Sequence, residues 1–187
     1  MSRALFLRHG ESVHNAHRGA ETLSHEEGDR LTALGQEQAL AAGAGLGGEG
    51  VTRLLSSPMR RARETAAAIG AALGLEPATL PEVDELRPGE SFEQLVARVR
   101  GLKAELEAFD ADEVPLLVGH GIFFRFFLLD SVLGDRFEAP MAAGIWNLGS
   151  YNCGLSAFAH GETREPGGNE VPGWTCLSWM RRPWDPP

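Results

Sequence analysis

The stretch ALFLRHGES, residues 4–12, decides the expected fold. Its first four residues form an unbroken apolar run, which is typical of a strand buried on both faces of a parallel sheet. The run ends in Arg8 and His9, two side chains that are costly to bury without partners. Gly10 follows at once and permits a sharp turn. A buried strand that ends in this way predicts a binding site at its carboxyl end.

A second stretch, PLLVGHG at residues 115–121, repeats the plan of an apolar strand followed by histidine and glycine. In open parallel sheets, ligands bind outside the carboxyl ends of the strands, where the strand order reverses. Neighbouring strands lie about 4.8 Å apart, so His9 and His120 can meet around one small ligand. A single histidine at a strand end is more often structural, but two in the same setting favour a functional site.

A cluster of arginines follows another short strand that is expected to end at this edge, RLLSS at residues 53–57. Arg60, Arg61 and Arg63 fall in the first turns of the next helix, whose N-terminus attracts anions. On a helical wheel Arg61 and Arg63 flank the buried face from opposite sides, and Arg61 is preferred because it lies nearer the helix start. Two arginines and two histidines around one point predict a site for a tetrahedral oxyanion. Phosphate is favoured, because arginine binds its oxygens bidentately.

Composition limits the classes of protein and partner. The 187 residues, 43% of them hydrophobic, predict a single domain over residues 1–187. A net charge of −9 argues against nucleic-acid and membrane partners. Cys153 and Cys176 form neither a metal motif nor a disulfide framework, and the N-terminus lacks the pattern of a signal peptide. The apolar stretch at residues 121–129 is short and contains Arg125, so it predicts a buried helix. We therefore expect a cytoplasmic protein, and the sequence gives no indication of its oligomeric state.

Strands alternate with helices along most of the chain, which predicts an α/β fold. Thr32 is expected to cap one helix, and Ser57 another with Pro58 at its first position. The segment ATLPEVDEL, residues 78–86, is predicted to be extended. Ser91 opens a further helix through a capping box, SFEQ.

Past Pro140 the pattern changes to two β-like pieces, residues 150–160 and 173–180, separated by a loop at residues 161–172. We interpret them as antiparallel edge strands of the same sheet. The predicted fold is a three-layer α/β/α sandwich with a mostly parallel central sheet and an antiparallel edge. The proline-rich end, residues 181–187, cannot continue a central strand and is expected to wrap the surface.

Five segments resemble motifs of the histidine phosphatase superfamily, the phosphoglycerate-mutase-like proteins, in the expected order. LFLRHGESVHN resembles the family's phosphohistidine signature, LTALGQEQA the start of a helix, and SSPMRRARETA the motif that carries its second arginine. GESFEQLVARV and LLVGHG complete the set. The resemblance covers about residues 4 to 125 and implies the phosphatase branch of the family.

The resemblance implies a role for each matching residue. His9 corresponds to the nucleophile, Arg8 and Arg61 to phosphate clamps, and His120 to the second histidine of the pocket. It also settles the choice of Arg61 over Arg63. The further residues expected at the phosphate or substrate are Gly10, Ser12, Asn15 and Gly121.

The chemistry agrees with this assignment. A neutral imidazole nitrogen can attack phosphorus and form a phosphohistidine that water then hydrolyses. Phosphoryl transfer needs positioning and charge stabilisation, which the arginines and His120 supply, so no metal or organic cofactor is required. His9 must be neutral while His120 donates a proton, so their environments are predicted to separate their pKa values.

A general acid must protonate the leaving oxygen. In the family it is usually a carboxylate in the loop after the third strand, but here that region, residues 81–91, is compressed. Glu85 is the best candidate because it lies near the loop start, two residues after Val83. The alternatives are Glu82, Asp84 and Glu90. Without an acid, the substrate needs a good leaving group, such as that of a phosphohistidine or an acyl phosphate.

The spacing of the motifs favours hydrolysis. Only 58 residues lie between Arg61 and His120, whereas mutases of the family carry a longer insertion that keeps water out. We therefore predict an open pocket and a phosphatase acting on phosphomonoesters or on phosphorylated protein side chains. The alternatives are a cofactor-dependent phosphoglycerate-type mutase and a non-catalytic phosphate-binding module.

The other histidines and the tryptophans are given structural interpretations. Those expected at the surface or in loops are His14, His17, His25 and His160; the HxxH spacing of the first two lacks the partners of a zinc site. For Trp174, Trp179 and Trp184 the alternatives are the core and an oligomer contact, and buried structural roles are favoured. Substrate specificity is assigned to Ser12–Asp29, the shortened loop, and the later residues Trp146, Asn147 and Tyr151.

Overall fold

The computed structural model describes residues 2–17, 24–164 and 170–185, without the side chains of His25 and Arg164. Within these ranges the chain forms one six-stranded sheet and seven α-helices. The strands are β1 (Ser2–Arg8), β2 (Arg53–Ser56), β3 (Ala78–Thr79), β4 (Pro115–Gly119), β5 (Leu155–Arg164) and β6 (Glu170–Arg181). The helices are α1 (Val13–Ala16), α2 (His25–Gly28), α3 (Ala33–Gly45), α4 (Arg60–Leu73), α5 (Phe92–Glu107), α6 (Gly121–Leu133) and α7 (Ala139–Ala142).

The strand order is β3-β2-β4-β1-β5-β6. The first four strands run parallel, and β5 and β6 form an antiparallel edge. Because β4 lies between β1 and β2, the strand order reverses at β1, and Arg8 pairs with Gly119. The carboxyl ends of β1 and β4 are therefore direct neighbours, which places both histidine motifs at one edge of the sheet.

Alternate residues of β1 contribute to two separate cores. Leu5 and Leu7 pack with residues of α3 and α4, whereas Ala4 and Phe6 pack with residues of α5 and α6. All four side chains are buried. The sheet is therefore covered on both faces, and the predicted α/β class, with its parallel centre and antiparallel edge, is confirmed.

The helix starts follow the sequence signals in two cases. The hydroxyl of Thr32 accepts from the N–H of Gly35 at the start of α3. Ser91 and Gln94 form the predicted capping box of α5. These local hydrogen bonds satisfy backbone donors that a helix leaves unpaired at its first turn.

Two local predictions were wrong. The helix α4 begins at Arg60 with Met59 as its N-cap, so Ser57 and Pro58 lie outside it. Ser57 instead donates to Asp84 and accepts from the N–H of Met59, which holds the chain extended before the helix. In the segment predicted to be extended, only Ala78–Thr79 pair with β2, and a 3₁₀ helix follows at Pro81–Val83.

The antiparallel edge extends further than the sequence indicated. The segment 161–172 was predicted to be a loop, yet β5 and β6 remain paired from Gly161 and Gly173 out to Arg164 and Glu170. Residues 165–169, at the centre of the predicted loop, lie outside the described residues. Glycine and proline weaken a strand, but they do not prevent pairing at the edge of a sheet.

The end of the chain leaves the sheet after Arg181, as its prolines predict. Pro183 is buried, and a Cβ added to Gly45 would lie 2.4 Å from the Pro183 carbonyl oxygen. Trp174 is buried and donates to Glu107, as expected for a structural role. Trp184 is 38% exposed, so its predicted burial is wrong.

The remaining histidines and the two cysteines occupy varied surroundings. His14 and His17 are exposed, and the side chain of His25 is outside the described residues. His160 was expected at the surface, but it is half-buried on β5 with its ring packed against Trp174. Both cysteines are free. No helix in the described ranges has the length and apolarity needed to cross a bilayer.

Candidate active site

The two histidines meet at the sheet edge. The N–H of His9 donates to the carbonyl of Gly119 at 3.0 Å, which continues the pairing of β1 with β4. The ring centroids of His9 and His120 lie 5.2 Å apart. Both side chains are buried, at 2% and 0% exposure. The prediction of an open pocket is therefore wrong at the rings themselves, although the loop above them is short.

Hydrogen bonds set the tautomer of His9. Its Nδ1 lies 2.7 Å from the carbonyl oxygen of Gly10, and its Nε2 lies 3.0 Å from Nε of Arg61. A guanidinium group has only donors, so Nε2 accepts and Nδ1 carries the proton. Burial lowers the pKa of His9 well below its ordinary value, and the charges of Arg61 and Arg8 lower it further. His9 is therefore a neutral imidazole whose Nε2 lone pair accepts the hydrogen bond from Arg61.

Arg61 connects both histidines to an acidic side chain. Besides His9, its guanidinium donates to Nδ1 of His120 at 3.2 Å and forms an ion pair with Asp29. Asp29 also accepts from the N–H of Arg60 at 2.8 Å, so the carboxylate is held at the start of α4. The exposed Arg63 lies outside this cluster. The choice of Arg61, made from its position in the helix and the family resemblance, agrees with this geometry.

His120 lies at the head of a chain of hydrogen bonds. Because its Nδ1 accepts from Arg61, its Nε2 carries the proton and donates to Oγ of Ser57 at 2.8 Å. Ser57 in turn donates to Oδ1 of Asp84 at 3.1 Å. Burial is the largest cause of the lowered pKa of His120, and electrostatic interactions with His9 and Arg61 lower it further. Burial and the guanidinium groups thus lower the pKa of both histidines, and the predicted separation of the two values stays a prediction.

Arg8 ends β1 beside His9. Its Nη1 donates to the carbonyl of Ser150 at 2.6 Å, and its carbonyl accepts from the N–H of Cys153 at 3.0 Å. Burial raises the pKa of the Cys153 thiol to about 12, so this cysteine stays protonated near the site. The segment that follows α7 thus holds Arg8 at the edge of the histidine cluster.

The smaller predicted residues support the loop after β1. Ser12 and Asn15 form a capping box at α1, and Asn152 donates both to Asn15 and to the carbonyl of His9, each at 3.1 Å. A Cβ on Gly10 would meet the backbone oxygen of Gly35 at 2.4 Å. This glycine permits close approach by the protein's own backbone, whereas the sequence had predicted approach by a ligand.

Gly121 follows His120 at the start of α6. A Cβ added there would lie 2.8 Å from Oγ of Ser150 and 3.3 Å from Nη1 of Arg125. The absence of a side chain therefore lets the segment that binds Arg8 pack closely against the turn after His120.

The four candidate acids lie in different environments. Glu90 is paired with Arg98 at 2.7 Å, and Asp84 accepts from Ser57 and lies 3.9 Å from His120. Glu85 is half-buried, and its Oε1 lies 3.2 Å from the N–H of Ile122 in the first turn of α6. Burial raises the pKa of Glu85, although Arg61 opposes this effect. The side chain of Glu82, the fourth candidate, is also half-buried.

Sequence reasoning missed several residues that hold the site together. Ser57 was read as a helix cap, although it stands in the motif that supplied Arg61. Asp29 is embedded in a stretch with no regular pattern, and nothing near it marks a partner for Arg61. Thr65 accepts from the N–H of Gly10 at 3.0 Å and donates to the carbonyl of Arg61 at 2.7 Å. Thr65 stands four residues after Arg61 on the same helix, and this spacing was the sequence signal that could have identified it.

We expect the buried histidines to make the protein less stable at acid pH. Because folding lowers their pKa values below the ordinary 6.5, the unfolded state binds protons first as the pH falls. Stability is fully present above about pH 6.5 and is lost below it, by up to about 1.4 kcal/mol per pH unit for each histidine. Urea unfolding at pH 7.5 and 5.5 measures the loss. The loss of stability between the two pH values should be smaller in His120→Asn. An unchanged loss would contradict the conclusion that folding lowers the pKa of His120.

The chain is similar in sequence and in fold to several known proteins. A family model described as "Histidine phosphatase superfamily (branch 1)" matches residues 4–89. A curated "Probable phosphoglycerate mutase GpmB" from Yersinia enterocolitica is 29% identical over 96% of this chain and 91% of its own length. A mycobacterial glucosyl-3-phosphoglycerate phosphatase, solved with VO3, has a TM-score of 0.69 at 23% identity, covering 96% of this chain and 99% of its own. A putative alpha-ribazole-5'-P phosphatase from Escherichia coli K-12 has a TM-score of 0.73 at 21% identity, covering 97% and 98%.

Proposed function

We propose that this chain is a member of the histidine phosphatase superfamily, whose family model matches residues 4–89, and that it is a phosphatase that hydrolyses phosphomonoesters through a phosphohistidine on His9. The observation that carries this proposal is the contact of Arg61 with the reactive Nε2 of His9 and with His120. Arg61, the two imidazoles and the neighbouring Arg8 together supply a nucleophile and the positive charge that a tetrahedral phosphate requires. The structural relatives described above are phosphatases by name, which supports the same reaction class.

In the first step, Nε2 of His9 attacks phosphorus and the bond between phosphorus and the ester oxygen breaks. The hydrogen bond from Nδ1 to Gly10 holds the ring in orientation and stabilises the positive charge that develops on it. A phosphate that enters must replace the contact between Arg61 and Nε2, so its oxygens take over the guanidinium donors. Arg8 and Arg61 then stabilise the charge on the transferred group, and His120 holds the guanidinium of Arg61 through its Nδ1.

The leaving oxygen needs a proton, and Glu85 is the proposed source. Its raised pKa favours the protonated form, and it stands next to the turn that carries His120. Glu90 and Asp84 are already bonded to Arg98 and Ser57. In the second step Glu85 takes a proton from water, whose oxygen attacks the phosphohistidine. The products are inorganic phosphate and regenerated His9.

A mutase is the second candidate, because the curated relative from Yersinia is named a probable phosphoglycerate mutase. A mutase must keep water away from its phosphohistidine. Only the residues from 80 to 91 connect β3 with α5 in this chain, which leaves little length for a cover. The short connection supports hydrolysis.

Phosphate release separates the two candidates. The protein is incubated with p-nitrophenyl phosphate, and separately with 3-phosphoglycerate with and without 2,3-bisphosphoglycerate. We expect phosphate from p-nitrophenyl phosphate without any added cofactor. Isomerised product that depends on the bisphosphate, with no phosphate released, would establish a mutase. Failure to act on either substrate would favour a module that only binds phosphate.

Glu85→Gln should act selectively on esters with poor leaving groups. With glycerol 3-phosphate, whose alkoxide needs a proton, we expect kcat to fall by about 10²-fold or more. With p-nitrophenyl phosphate, whose phenolate leaves without a proton, the loss should be below about fivefold. Glu82→Gln serves as the matched control in the same loop. Equal losses on both substrates would show that Glu85 is not the acid.

The proposed substrate is a small phosphorylated molecule, the class of substrate for which the two solved relatives are named. We also propose a cytoplasmic location, supported by the free state of Cys153 and Cys176.

A further inference from the structure

A cavity of about 480 Å³ adjoins the site at Arg8. Its walls come from α3, from the segment after α7 and from the end of the chain, and they include Leu34, Gln38, Tyr151, Arg182 and Trp184. We call it the tail cavity. Its volume lies in the range of small-molecule sites. Arg8 lines the tail cavity and directly precedes His9 in the chain, so the cavity begins beside the proposed nucleophile.

The apolar lining of the tail cavity is exposed to solvent. Leu34 is 48% exposed, Tyr151 57% and Trp184 38%. Large apolar side chains that surround one concave site mark a binding surface more often than scattered ones do. The two aromatic rings offer flat faces on which a ring of the ligand can stack.

The polar lining of the tail cavity attracts anions and hydrogen-bond acceptors. Arg8 and Arg182 contribute positive charge, and the oxygen of Gln38 accepts from the N–H of Glu11 at 2.9 Å, which leaves its NH2 group as a donor. None of the described residues that line the cavity is acidic, although the chain carries 26 acidic and 17 basic residues. The cavity is therefore a local positive region in an acidic protein.

The position of the chain end is set by packing away from the histidines. Pro183 is buried against α3, where Gly45 leaves no room for a side chain because a Cβ would lie 2.4 Å from the Pro183 oxygen. The N–H of Asp185 donates to the carbonyl of Arg182 at 3.1 Å and closes a turn. Trp184 and Arg182 are thus held in place as walls of the tail cavity.

We propose that the tail cavity binds the leaving-group half of the substrate and selects phosphomonoesters of a ring-bearing alcohol, a sugar or a nucleoside, over acyclic ones. This inference rests on the proposed phosphatase activity. The ring stacks on Trp184 and Tyr151, while its oxygens accept from Arg182 and Gln38. The phosphate lies at Arg8 and His9.

The test compares three esters: glucose 6-phosphate, AMP and the acyclic glycerol 3-phosphate. We expect kcat/KM for the sugar or the nucleotide to exceed that for glycerol 3-phosphate by at least tenfold. Trp184→Ala should raise KM for the cyclic esters about tenfold. It should change kcat/KM for glycerol 3-phosphate less than twofold. Gly45→Ala, which displaces the chain end from outside the cavity, should act in the same direction. Leu177→Ala, at an exposed apolar residue of β6 outside the cavity, is the matched control.

Binding separates this proposal from the catalytic one. Dissociation constants of the same three esters are measured by calorimetry on His9→Ala, with and without Trp184→Ala. Ring-selective binding that depends on Trp184 supports the cavity even if no ester is hydrolysed. Hydrolysis of p-nitrophenyl phosphate without ring-selective binding would overturn the proposed role of the tail cavity and leave the proposed phosphatase activity intact. An equal loss for cyclic and acyclic esters in Trp184→Ala would also overturn it.

Discussion

Replacement of His9 by alanine is expected to abolish the phosphoenzyme and to lower kcat by at least about 10⁴-fold. Nε2 of His9 holds the lone pair that attacks phosphorus, because Nδ1 carries the proton and donates to the carbonyl of Gly10. The pKa of His9 lies well below its ordinary value, so the nucleophile is unprotonated at neutral pH. The enzyme is mixed with a labelled phosphoryl donor and quenched, and retained label is counted after denaturation. A phosphohistidine is stable in alkali and lost in acid, which identifies the bond.

The matched control for this experiment is His17→Ala, which removes an exposed histidine eight positions away. It should keep both label and turnover. The fold of the His9 variant is checked by thermal unfolding, and His9→Asn repeats the test with a polar side chain. Label that persists in both His9 variants at wild-type level would show that another residue is the nucleophile.

Arg61→Gln is expected to lower kcat/KM by about 10³-fold. Arg61 contacts His9 and His120 and is paired with Asp29. Glutamine removes the positive charge and cannot reproduce the planar set of donors. Arg61→Lys keeps the positive charge but donates from one nitrogen only. It should therefore recover only part of the loss in kcat/KM. Steady-state kinetics with p-nitrophenyl phosphate measures all three proteins.

Arg63→Gln provides the comparison on the same helix. Arg63 is exposed and two residues away, so its replacement removes the same charge without touching the cluster. We expect activity within about twofold of wild type. If both substitutions reduce activity equally, the contribution of Arg61 is a long-range charge effect and the clamp assignment is wrong. Added salt would then weaken both effects alike.

Much of the fold was predictable because its signals are local. The two apolar strands and the helix caps at Thr32 and Ser91 depend on residues within a few positions of one another. The placement of Ser57 was not predictable in this way. Its hydroxyl was read as a cap for the adjacent helix, but it accepts from His120, which lies 63 residues further along the chain.

The same distinction applies to the candidate site. Arg8, His9, Arg61 and His120 each stand at a strand end or a helix start, and such ends converge at one edge of a parallel sheet. Which carboxylate faces the leaving group could not be read from residues 81–91, because burial of Glu85 and the pairing of Glu90 with Arg98 depend on α5 and α6. The joint lowering of both histidine pKa values also required knowledge of burial.

The sequence by itself predicted the α/β sheet and the edge at which the histidines lie, and it led to the proposal of an anionic ligand. These follow from periodicity and from the chemistry of residues at element ends, which short-range geometry controls. The tertiary structure decided the partner of Arg61, the tautomers of both histidines and the cavity beside Trp184. These depend on contacts between distant segments, such as that of Gly45 with Pro183, and packing alone brings such segments together.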